Sequence, residues 1–452
     1  MAKIAQQRAP FFTRRRPVFD VRRHHVHAQA VVTSERPLTI RTPPQRWAHA
    51  LSFMPAWPPL ASTRDGLVRI RLRVIEGDVS VLCLAADGVR VIDEAFTGPA
   101  DGDLTLALAA APLSACAEVV VRNARTDGRP SVATIGSIEW EDVGEAETGD
   151  TLRPPGRLAL EPVPNWSRCY GERGMTADER LRSARYVMLD RVKRMRWFNG
   201  LNVNIVPNDD LSRVLYVSGT YEPLSLLAMH QLLPEGGVFV DVGANAGVFS
   251  MLASRWVGPR GRVFSFEPNA REFARLDDHV ALNALGNVTT IRKVVADRSA
   301  WFDLRVAQFP HAGHNTTADR FAYDGVAAER TERVEGITLD QFIADAGVSR
   351  LDLVKVDVEG GERAVLDGAV QVMAAYRPAW IMEVSRPALA NQRTSAGDLL
   401  RRLSAASYRP LNRVSLVESS HDTPPAEDPS DNLIAVPAER TERDALRHNP
   451  AL

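Results

Sequence analysis

The stretch "VFVDVGANAGVFSML", residues 238–252, decides the fold of the second half of the chain. An apolar, strand-like run ends at Asp241, and a turn containing Gly243, Asn245 and Gly247 follows before apolar residues return at helical spacing. Glycine allows positive φ and a close approach to a ligand, and asparagine tolerates the left-handed conformation better than most residues. The stretch therefore predicts a buried strand, a ligand-binding turn and a helix.

Strand-like runs alternate with helical patterns from this stretch to about residue 437. The strand-like runs are "GGVFVDVG", "GRVFSFEP", "VTTIRKVVA", "LDLVKVDV" and "AWIMEVS". Such alternation is typical of a Rossmann-like α/β fold, a doubly wound parallel sheet with helices on both faces. Ligands bind these sheets beyond the carboxyl ends of the strands, where the strand order reverses. We expect the turn at Gly243 to lie at that edge.

The carboxylate Glu267 closes the next strand-like run, 24 residues after Gly243. It can accept hydrogen bonds from both hydroxyls of a ribose. A nicotinamide dinucleotide and S-adenosylmethionine both carry such a ribose. Dinucleotide loops favour the spacing G-x-G-x-x-G, whereas Gly243 and Gly247 are spaced G-x-x-x-G. Asp241 would repel a pyrophosphate but attract an ammonium or sulfonium, so the residues favour S-adenosylmethionine.

A series of motifs in the second half of the chain resembles those of the FkbM family of S-adenosylmethionine-dependent methyltransferases. In chain order the motifs are "SGTYEPL", "FVDVGANAGVFS", "FSFEPN", "ITLDQF", "LDLVKVDVEGGERAVLDGA" and "RPAWIMEVS". The resemblance covers about residues 201–437 and does not extend to residues 1–170. It implies a class I methyltransferase fold and O-methylation of sugars, glycolipids or polyketide hydroxyls.

The resemblance also implies which residues bind the cofactor: the glycine-rich turn holds its methionine end and Glu267 its ribose. The implied cofactor-binding residues are Tyr221, Glu222, Asp241, Gly243, Asn245, Gly247, Glu267, Pro268, Asn269, Ala296 and Asp297. Ala296 and Asp297 match the place where such enzymes contact adenine, although Asp297 could equally cap a turn.

Two carboxylates in "VKVDVEGGE" are candidates for catalysis. Asp357 should emerge at the carboxyl end of its strand and face the methyl group of the cofactor, and Glu359 could point to the same side. These acids could take a proton from the acceptor or hold a divalent cation such as Mg²⁺. No third ligand stands out in the sequence, so a bound metal is the alternative and not the leading interpretation. Glu362, at the start of a helical pattern, suits catalysis or the helix dipole equally well.

The polar segment "HAGHNTTADRFAYDG", residues 311–325, interrupts the strand pattern. Because loops on a rigid scaffold commonly carry binding residues, we expect this segment to face the acceptor. His314 within it could accept a proton from a hydroxyl, and the alternative is an ordinary surface histidine. We therefore count Asp357, Glu359 and His314 as the candidate catalytic residues.

The chain has 452 residues, which predicts more than one domain. We divide it into a basic, disordered tail (1–60), an antiparallel β-sandwich (61–143), a linker (144–164), the methyltransferase domain with a helical and hairpin lead-in (165–440), and a C-terminal tail (441–452). The sandwich could bind a glycan or a partner, or it could be an architectural or dimerising module. The sandwich is predicted from short alternating runs separated by Gly, Asp and Pro. The tail could associate peripherally with a phosphate-bearing surface or be a solvated arm.

Composition narrows the remaining classes. A net charge of -1 gives no reason to expect a nucleic-acid partner. The sequence contains no apolar run of about 20 residues, so we expect no transmembrane segment. Cys83, Cys116 and Cys169 are odd in number and lack metal-binding spacing, and the N-terminus lacks an apolar signal segment, so we expect a cytoplasmic protein.

The leading functional hypothesis is an S-adenosylmethionine-dependent O-methyltransferase acting on a hydroxyl of a saccharide, glycolipid or related natural product. The alternatives are a non-catalytic glycan-binding scaffold with a residual cofactor fold and a nicotinamide-dependent dehydrogenase. The dehydrogenase is disfavoured by the glycine spacing and by Asp241, and the scaffold would require damaged cofactor motifs, which the sequence does not show.

Overall fold

The computed structural model describes residues 13–17, 24–57, 59–145, 169, 175–411 and 430–440. The chain forms two compact units. Unit 1 comprises residues 1–149, 166–192 and 216–218, and unit 2 comprises residues 150–165, 193–215 and 219–452.

Two antiparallel sheets build the described part of unit 1. The first contains β1 (Thr13–Pro17), β3 (Val31–Glu35), β4 (Leu38–Arg41), β6 (Arg64–Glu76), β9 (Leu104–Ala110) and β11 (Val132–Glu145), and the second contains β2 (His25–Val26), β5 (His49–Phe53), β7 (Val79–Leu84), β8 (Val91–Thr97) and β10 (Glu118–Asn123). The strand orders are β3-β4-β11-β6-β9, with β1 beside β11, and β2-β5-β10-β7-β8.

The two sheets share one apolar core. Alternate residues of β6, such as Ile70 and Leu72, meet alternate residues of β10, such as Val119 and Val121, in a single buried cluster. This inward-facing alternation is what two packed antiparallel sheets require. The predicted β-sandwich is therefore present in the first part of the chain.

The sandwich begins further upstream than residue 61, so the prediction of a disordered tail over residues 1–60 is wrong for residues 24–53. Four strands, β2 to β5, lie there, and Leu38 and Ile40 are buried in the core. We predicted a tail because the segment is rich in basic residues. Its alternating apolar residues nevertheless form strands, because every second side chain of a strand can face the core. Residues 1–12 and 18–23, most of the predicted linker and the predicted C-terminal tail lie outside the described residues.

Helix α1 (Ala177–Val187) belongs to unit 1, although we placed it with the downstream domain. Thr176 begins the helix with a capping box, as its sequence indicates. The apolar face of α1 buries Leu181 in the sandwich core, and Arg180 forms an ion pair with Asp93. A helical pattern shows that one face is buried but not which core buries it.

A seven-stranded sheet forms the centre of unit 2. Its strands are β14 (Val238–Val242), β15 (Arg262–Phe266), β16 (Val288–Ile291), β20 (Leu353–Val356), β21 (Ala379–Ser385), β22 (Tyr408–Leu411) and β23 (Ser430–Pro437), in the order β16-β15-β14-β20-β21-β23-β22. The first five strands in this order are parallel, and β23 is antiparallel to both of its neighbours. This confirms the predicted α/β fold of class I methyltransferases. The strand order reverses between β14 and β20, so their carboxyl ends form the expected switch point.

Helices and a smaller sheet complete unit 2. The helices are α2 (Asp210–Ser218), of which residues 210–215 belong to this unit, α3 (Pro223–Leu232), α4 (Val248–Val257), α5 (Ala270–Leu282), α6 (Leu339–Asp345), α7 (Glu362–Asp367), α8 (Arg386–Asn391) and α9 (Ala396–Ala405), with a π-helical turn at Val372–Tyr376. The smaller sheet has the order β17-β19-β18, from β17 (Val294–Val295), β18 (Trp301–Ala307) and β19 (Ala328–Ile337). Residues 308–327 connect β18 to β19 and contain the predicted polar loop.

The stretch "GLNVNIVPNDDLSRVLYVSG", residues 200–219, predicts the hairpin of the lead-in, and the structure places that hairpin further upstream. The hairpin pairs β12 (Lys193–Arg196) with β13 (Asn202–Ile205), and the following residues form α2. The carboxylate of Asp209 accepts a hydrogen bond from the Ser212 amide at 2.9 Å and caps that helix.

Among the described residues, no helix has the length and apolar character needed to cross a membrane.

Candidate active site

The turn after β14 passes very close to the end of β20. Gly243 and Gly247 have φ angles of 82° and 86°, and Asn245 has a φ of 49°. A Cβ atom on Gly243 would overlap the carbonyl oxygen of Asp357. Position 243 therefore requires glycine, both because its φ is positive and because a side chain would collide with β20. Asn245 adopts the left-handed conformation, which asparagine tolerates, as predicted.

We expect Gly243→Ala to lower the free energy of unfolding by about 2 to 4 kcal/mol, because it adds backbone strain and a collision with β20. Gly236→Ala is the matched control, since Gly236 has a φ of 72° but open space around its Cβ position. The control should cost about 1 kcal/mol through strain alone. Guanidinium unfolding of both variants measures the difference, and equal losses would show that the close approach to β20 is unimportant.

Glu267, at the end of β15, ties the glycine-rich turn to the next helix. Its Oε2 accepts the Asn245 amide and its Oε1 accepts the Asn269 amide, each at 2.8 Å. Asn269, next to Pro268, in turn caps α5 by accepting the amides of Arg271 and Glu272. Burial raises the pKa of Glu267 to about 8. Each carboxylate oxygen keeps a second lone pair, so ribose hydroxyls could still bind there.

Asp241 is fully buried on β14 and only half satisfied. Its Oδ2 accepts a hydrogen bond from Ser250 Oγ at 2.6 Å, and Ser250 Oγ lies 2.7 Å from Ser265 Oγ. Its Oδ1 has no hydrogen-bond partner within the described residues. Burial also raises the pKa of Asp241. Because an unsatisfied buried acceptor costs free energy, this oxygen suits a ligand that brings a donor or a positive charge.

Tyr221 and Glu222 precede α3. The Tyr221 ring lies edge-on to Phe249, with 6.3 Å between the ring centroids. Glu222 adopts a φ of 42°, and its Oε2 accepts a hydrogen bond from Asn432 Nδ2 at 2.7 Å. Burial raises the pKa of both side chains. The contact of Tyr221 and Glu222 with the cofactor stays a prediction.

Ala296 and Asp297 follow β17. Ala296 is buried, and its amide donates to the Ile337 carbonyl at 3.0 Å. Asp297 pairs at the surface with Arg298, with 2.9 Å between Oδ1 and Nη1. The adenine contact implied for these two residues stays a prediction.

Asp357 lies at the carboxyl end of β20, as predicted, and it has two close partners that the sequence analysis missed. Its Oδ2 accepts a hydrogen bond from Lys355 Nζ at 2.8 Å, and its carboxylate is hydrogen-bonded to Glu383 of β21. Burial opposes ionisation of Asp357, but the charge of Lys355 together with the hydrogen bonds from Lys355 and Glu383 and the charge of His314 lowers the pKa of Asp357. The missed signal is a charged residue inside an apolar strand, as in "LDLVKVDV" and "AWIMEVS".

His314 and Glu359, which the sequence analysis named separately, form a pair. His314 Nδ1 lies 2.9 Å from Glu359 Oε1, and Thr316 Oγ1 donates to the Glu359 carbonyl at 3.0 Å. Burial alone would lower the pKa of His314, but the hydrogen bond and charge of Glu359 outweigh it, so this pKa is raised. The His314 ring also lies 4.8 Å from the ring of Tyr323.

Glu362, the first residue of α7, braces the loop between β20 and that helix. Its Oε1 accepts the amides of Val358 and Gly360 at 3.3 and 3.2 Å. Burial raises the pKa of Glu362 to about 7. These contacts favour a structural role for Glu362 at the start of α7 over a catalytic one.

The metal alternative finds no support. Across the part of the chain that the structure describes, no group of three or more His, Cys, Asp or Glu side chains is arranged to hold a metal ion. His311, the other histidine of the polar loop, instead pairs with Asp210 at 2.8 Å.

Residues 241–410 match the family model of the methyltransferase FkbM domain. The chain is 28% identical over 165 residues to hexuronic acid methyltransferase AglP of Haloferax volcanii, covering 36% of this chain and 62% of that protein. It is 23% identical over 181 residues to 2-O-methyltransferase NoeI of Sinorhizobium fredii, covering 36% and 71%. It is 28% identical over 162 residues to methyltransferase sdnD of Sordaria araneosa, covering 30% and 61%.

The chain thus spans about three-fifths of the length of AglP and of sdnD. Residues 241–410 form an FkbM methyltransferase domain, which confirms the family resemblance of the motifs.

Proposed function

We propose that the protein is an S-adenosylmethionine-dependent O-methyltransferase acting on a hydroxyl of a saccharide, glycolipid or related natural product. The observation that carries the proposal is the His314–Glu359 pair beside Asp357, at the carboxyl edge of β14 and β20, where the strand order reverses. The FkbM domain supports methyl transfer. The names of AglP and NoeI, a hexuronic acid methyltransferase and a 2-O-methyltransferase, support a saccharide hydroxyl as acceptor.

The residues at this edge fit S-adenosylmethionine. Glu267 offers acceptors for ribose hydroxyls, and Asp241 has an unsatisfied buried oxygen. When bound, the cofactor supplies a methyl group on a positively charged sulfur. The same buried acids would repel a pyrophosphate, which argues against a nicotinamide dinucleotide.

His314 is the residue best placed to take the proton of the acceptor hydroxyl. Because its Nδ1 donates to Glu359, its Nε2 is the basic nitrogen. Glu359 raises the pKa of His314 and so makes it a stronger base, and base assistance is typically worth about 10² to 10⁴ in rate. Because Lys355 helps to lower the pKa of Asp357, this carboxylate is a weak base, and we assign it the role of orienting the hydroxyl.

The test uses the full-length protein. We expect isothermal titration calorimetry to detect binding of S-adenosylmethionine and of its demethylated product, and radioactive methyl transfer to label a saccharide from a panel that pairs neutral sugars with their uronic acid counterparts. Base-stable labelling of a sugar supports O-methylation. Base-labile labelling would place the methyl group on a carboxylate as an ester and contradict the hydroxyl acceptor. Cofactor binding without labelling of any panel member would favour the non-catalytic scaffold.

A further inference from the structure

Lys355 is a buried cation in a strand that is otherwise apolar. The sequence contains four lysines, Lys3, Lys193, Lys293 and Lys355, and Lys355 is only 4% exposed. Its Nζ lies 2.8 Å from Asp357 Oδ2 and 4.4 Å from the centre of the Phe249 ring. Lysine is almost never buried unless it is paired, so this position calls for a reason.

Besides Asp357, two further acids from other elements act on Lys355. Asp241 stands opposite it in the register of β14 and β20, and Glu222 reaches it from the start of α3. The charged and titratable groups that face Lys355 or its partner Asp357 are Glu222, Asp241, Glu359, Glu383, His314, Tyr221 and Tyr323. The ammonium is therefore the counter-charge for several carboxylates that have little access to water.

The hydrogen bond between Asp357 and Glu383 requires that one of the two carboxyl groups is protonated. Two carboxyl groups can form a hydrogen bond to each other only if one of them carries a proton, because carboxylates have acceptors alone. Lys355 contacts Asp357, so its charge favours the ionised form of that partner. The remaining proton then belongs on Glu383, in agreement with a pKa of Glu383 that burial and the Asp357 charge raise well above its ordinary value.

We propose that Lys355 is a positioning residue for the methyl transfer proposed above: its ammonium keeps Asp357 as a carboxylate and leaves the proton of the Asp357–Glu383 pair on Glu383. Asp357 then accepts from Lys355 and from Glu383, which fixes its orientation at the end of β20. The role rests on the proposed function, whereas the ion pair itself can be tested without substrate or cofactor.

Lys355→Met removes the charge and keeps most of the apolar stem. Without the ammonium, Asp357 should bind a proton in the folded state that the wild-type protein does not bind. The loss of stability relative to wild type should therefore grow as pH rises. We expect the loss in Tm to be at least about twice as large at about pH 8.5 as at about pH 5. A loss that is the same at all pH values would assign Lys355 a packing role and overturn the proposal.

Lys293→Met is the matched control, because Lys293 forms an ion pair with Glu335 at 3.0 Å in a more exposed place. Its effect on Tm should be small and nearly independent of pH. If Lys355→Met does not fold, the double variant Lys355→Met with Asp357→Asn decides. Its folding supports the ion pair, since the uncompensated charge is gone, and its failure to fold contradicts the proposal.

The rate of methyl transfer tests the positioning role. In Lys355→Met, kcat should fall at least about tenfold near pH 7 and recover partly at higher pH, as Asp357 ionises again, with a smaller change in KM for S-adenosylmethionine. A pH-independent fall in kcat overturns the positioning role. Absence of methyl transfer by the wild-type protein would overturn the proposed function instead, and the Tm comparison would still report on the ion pair.

Discussion

Replacing His314 by glutamine is expected to lower kcat by about 10² to 10⁴ and to change the affinity for S-adenosylmethionine less than about threefold. Glutamine has a similar reach and can still donate a hydrogen bond to Glu359, but it cannot take a proton from the acceptor. Single-turnover methyl transfer measures the chemical step, and calorimetry measures cofactor affinity. An unchanged single-turnover rate in a folded variant would remove His314 as the base.

His311→Gln is the control for that experiment. His311 lies on the same loop, three residues earlier, and its Nδ1 contacts Asp210 and not Glu359. We expect the control to keep a rate within about threefold of wild type, because it removes a histidine but not the base. Equal losses in the two variants would show that the loop depends on both histidines for its shape.

The dependence on pH gives the base assignment a second readout. Only neutral His314 can accept a proton, so kcat should rise with pH through its pKa, which lies above the ordinary histidine value of 6.5. Glu359→Gln removes the charge that raises this pKa and should therefore move the rise to lower pH. In His314→Gln the rise should be absent. A wild-type profile that persists in His314→Gln would assign the titration to another group.

Much of the proposed cofactor site at the carboxyl ends of β14 and β15 could be predicted, because its residues lie close to one another along the chain. Asp241, Gly243 and Glu267 each stand where an apolar strand ends, and the carboxyl ends of parallel strands share an edge. The sequence does not state which strands are neighbours. Lys355 and Glu383 meet at Asp357 only because β20 and β21 lie side by side, and no short motif contains all three.

The N-terminal region shows a different limit of sequence reasoning. Its arginines predicted a disordered tail, yet alternate residues such as Leu38 and Ile40 are buried in the sandwich. Charged side chains on the outer positions of a strand do not prevent its inner positions from packing. Likewise, the amphipathic pattern of α1 correctly indicated a helix but contained no information on which core would bury Leu181.

The second large effect is expected at Glu267, whose replacement by alanine should weaken S-adenosylmethionine binding at least about tenfold. Charge-assisted hydrogen bonds are each worth about 1.5 to 3 kcal/mol, and the ribose would supply two. The variant also loses the contacts that hold the Asn245 and Asn269 amides, so the turn is less well ordered for the ligand. Calorimetry on the folded variant measures the loss.

Glu332→Ala is the matched control, since its carboxylate accepts the Ala270 amide at 3.1 Å near the same helix start but belongs to β19. We expect it to change the dissociation constant for S-adenosylmethionine less than about threefold. Unchanged affinity in Glu267→Ala, with the protein folded, would end the assignment of the ribose to Glu267.

The raised pKa of Glu267 makes a further consequence of this assignment measurable. Burial raises that pKa to about 8, so near neutral pH much of the free protein carries a proton there. Ribose hydroxyls donate best to the ionised form, so binding should release this proton, and affinity should increase as pH rises through about 8. Calorimetry in two buffers of different ionisation enthalpy measures the proton release directly. Absence of release would mean that the two backbone amides already hold Glu267 ionised before the ligand arrives.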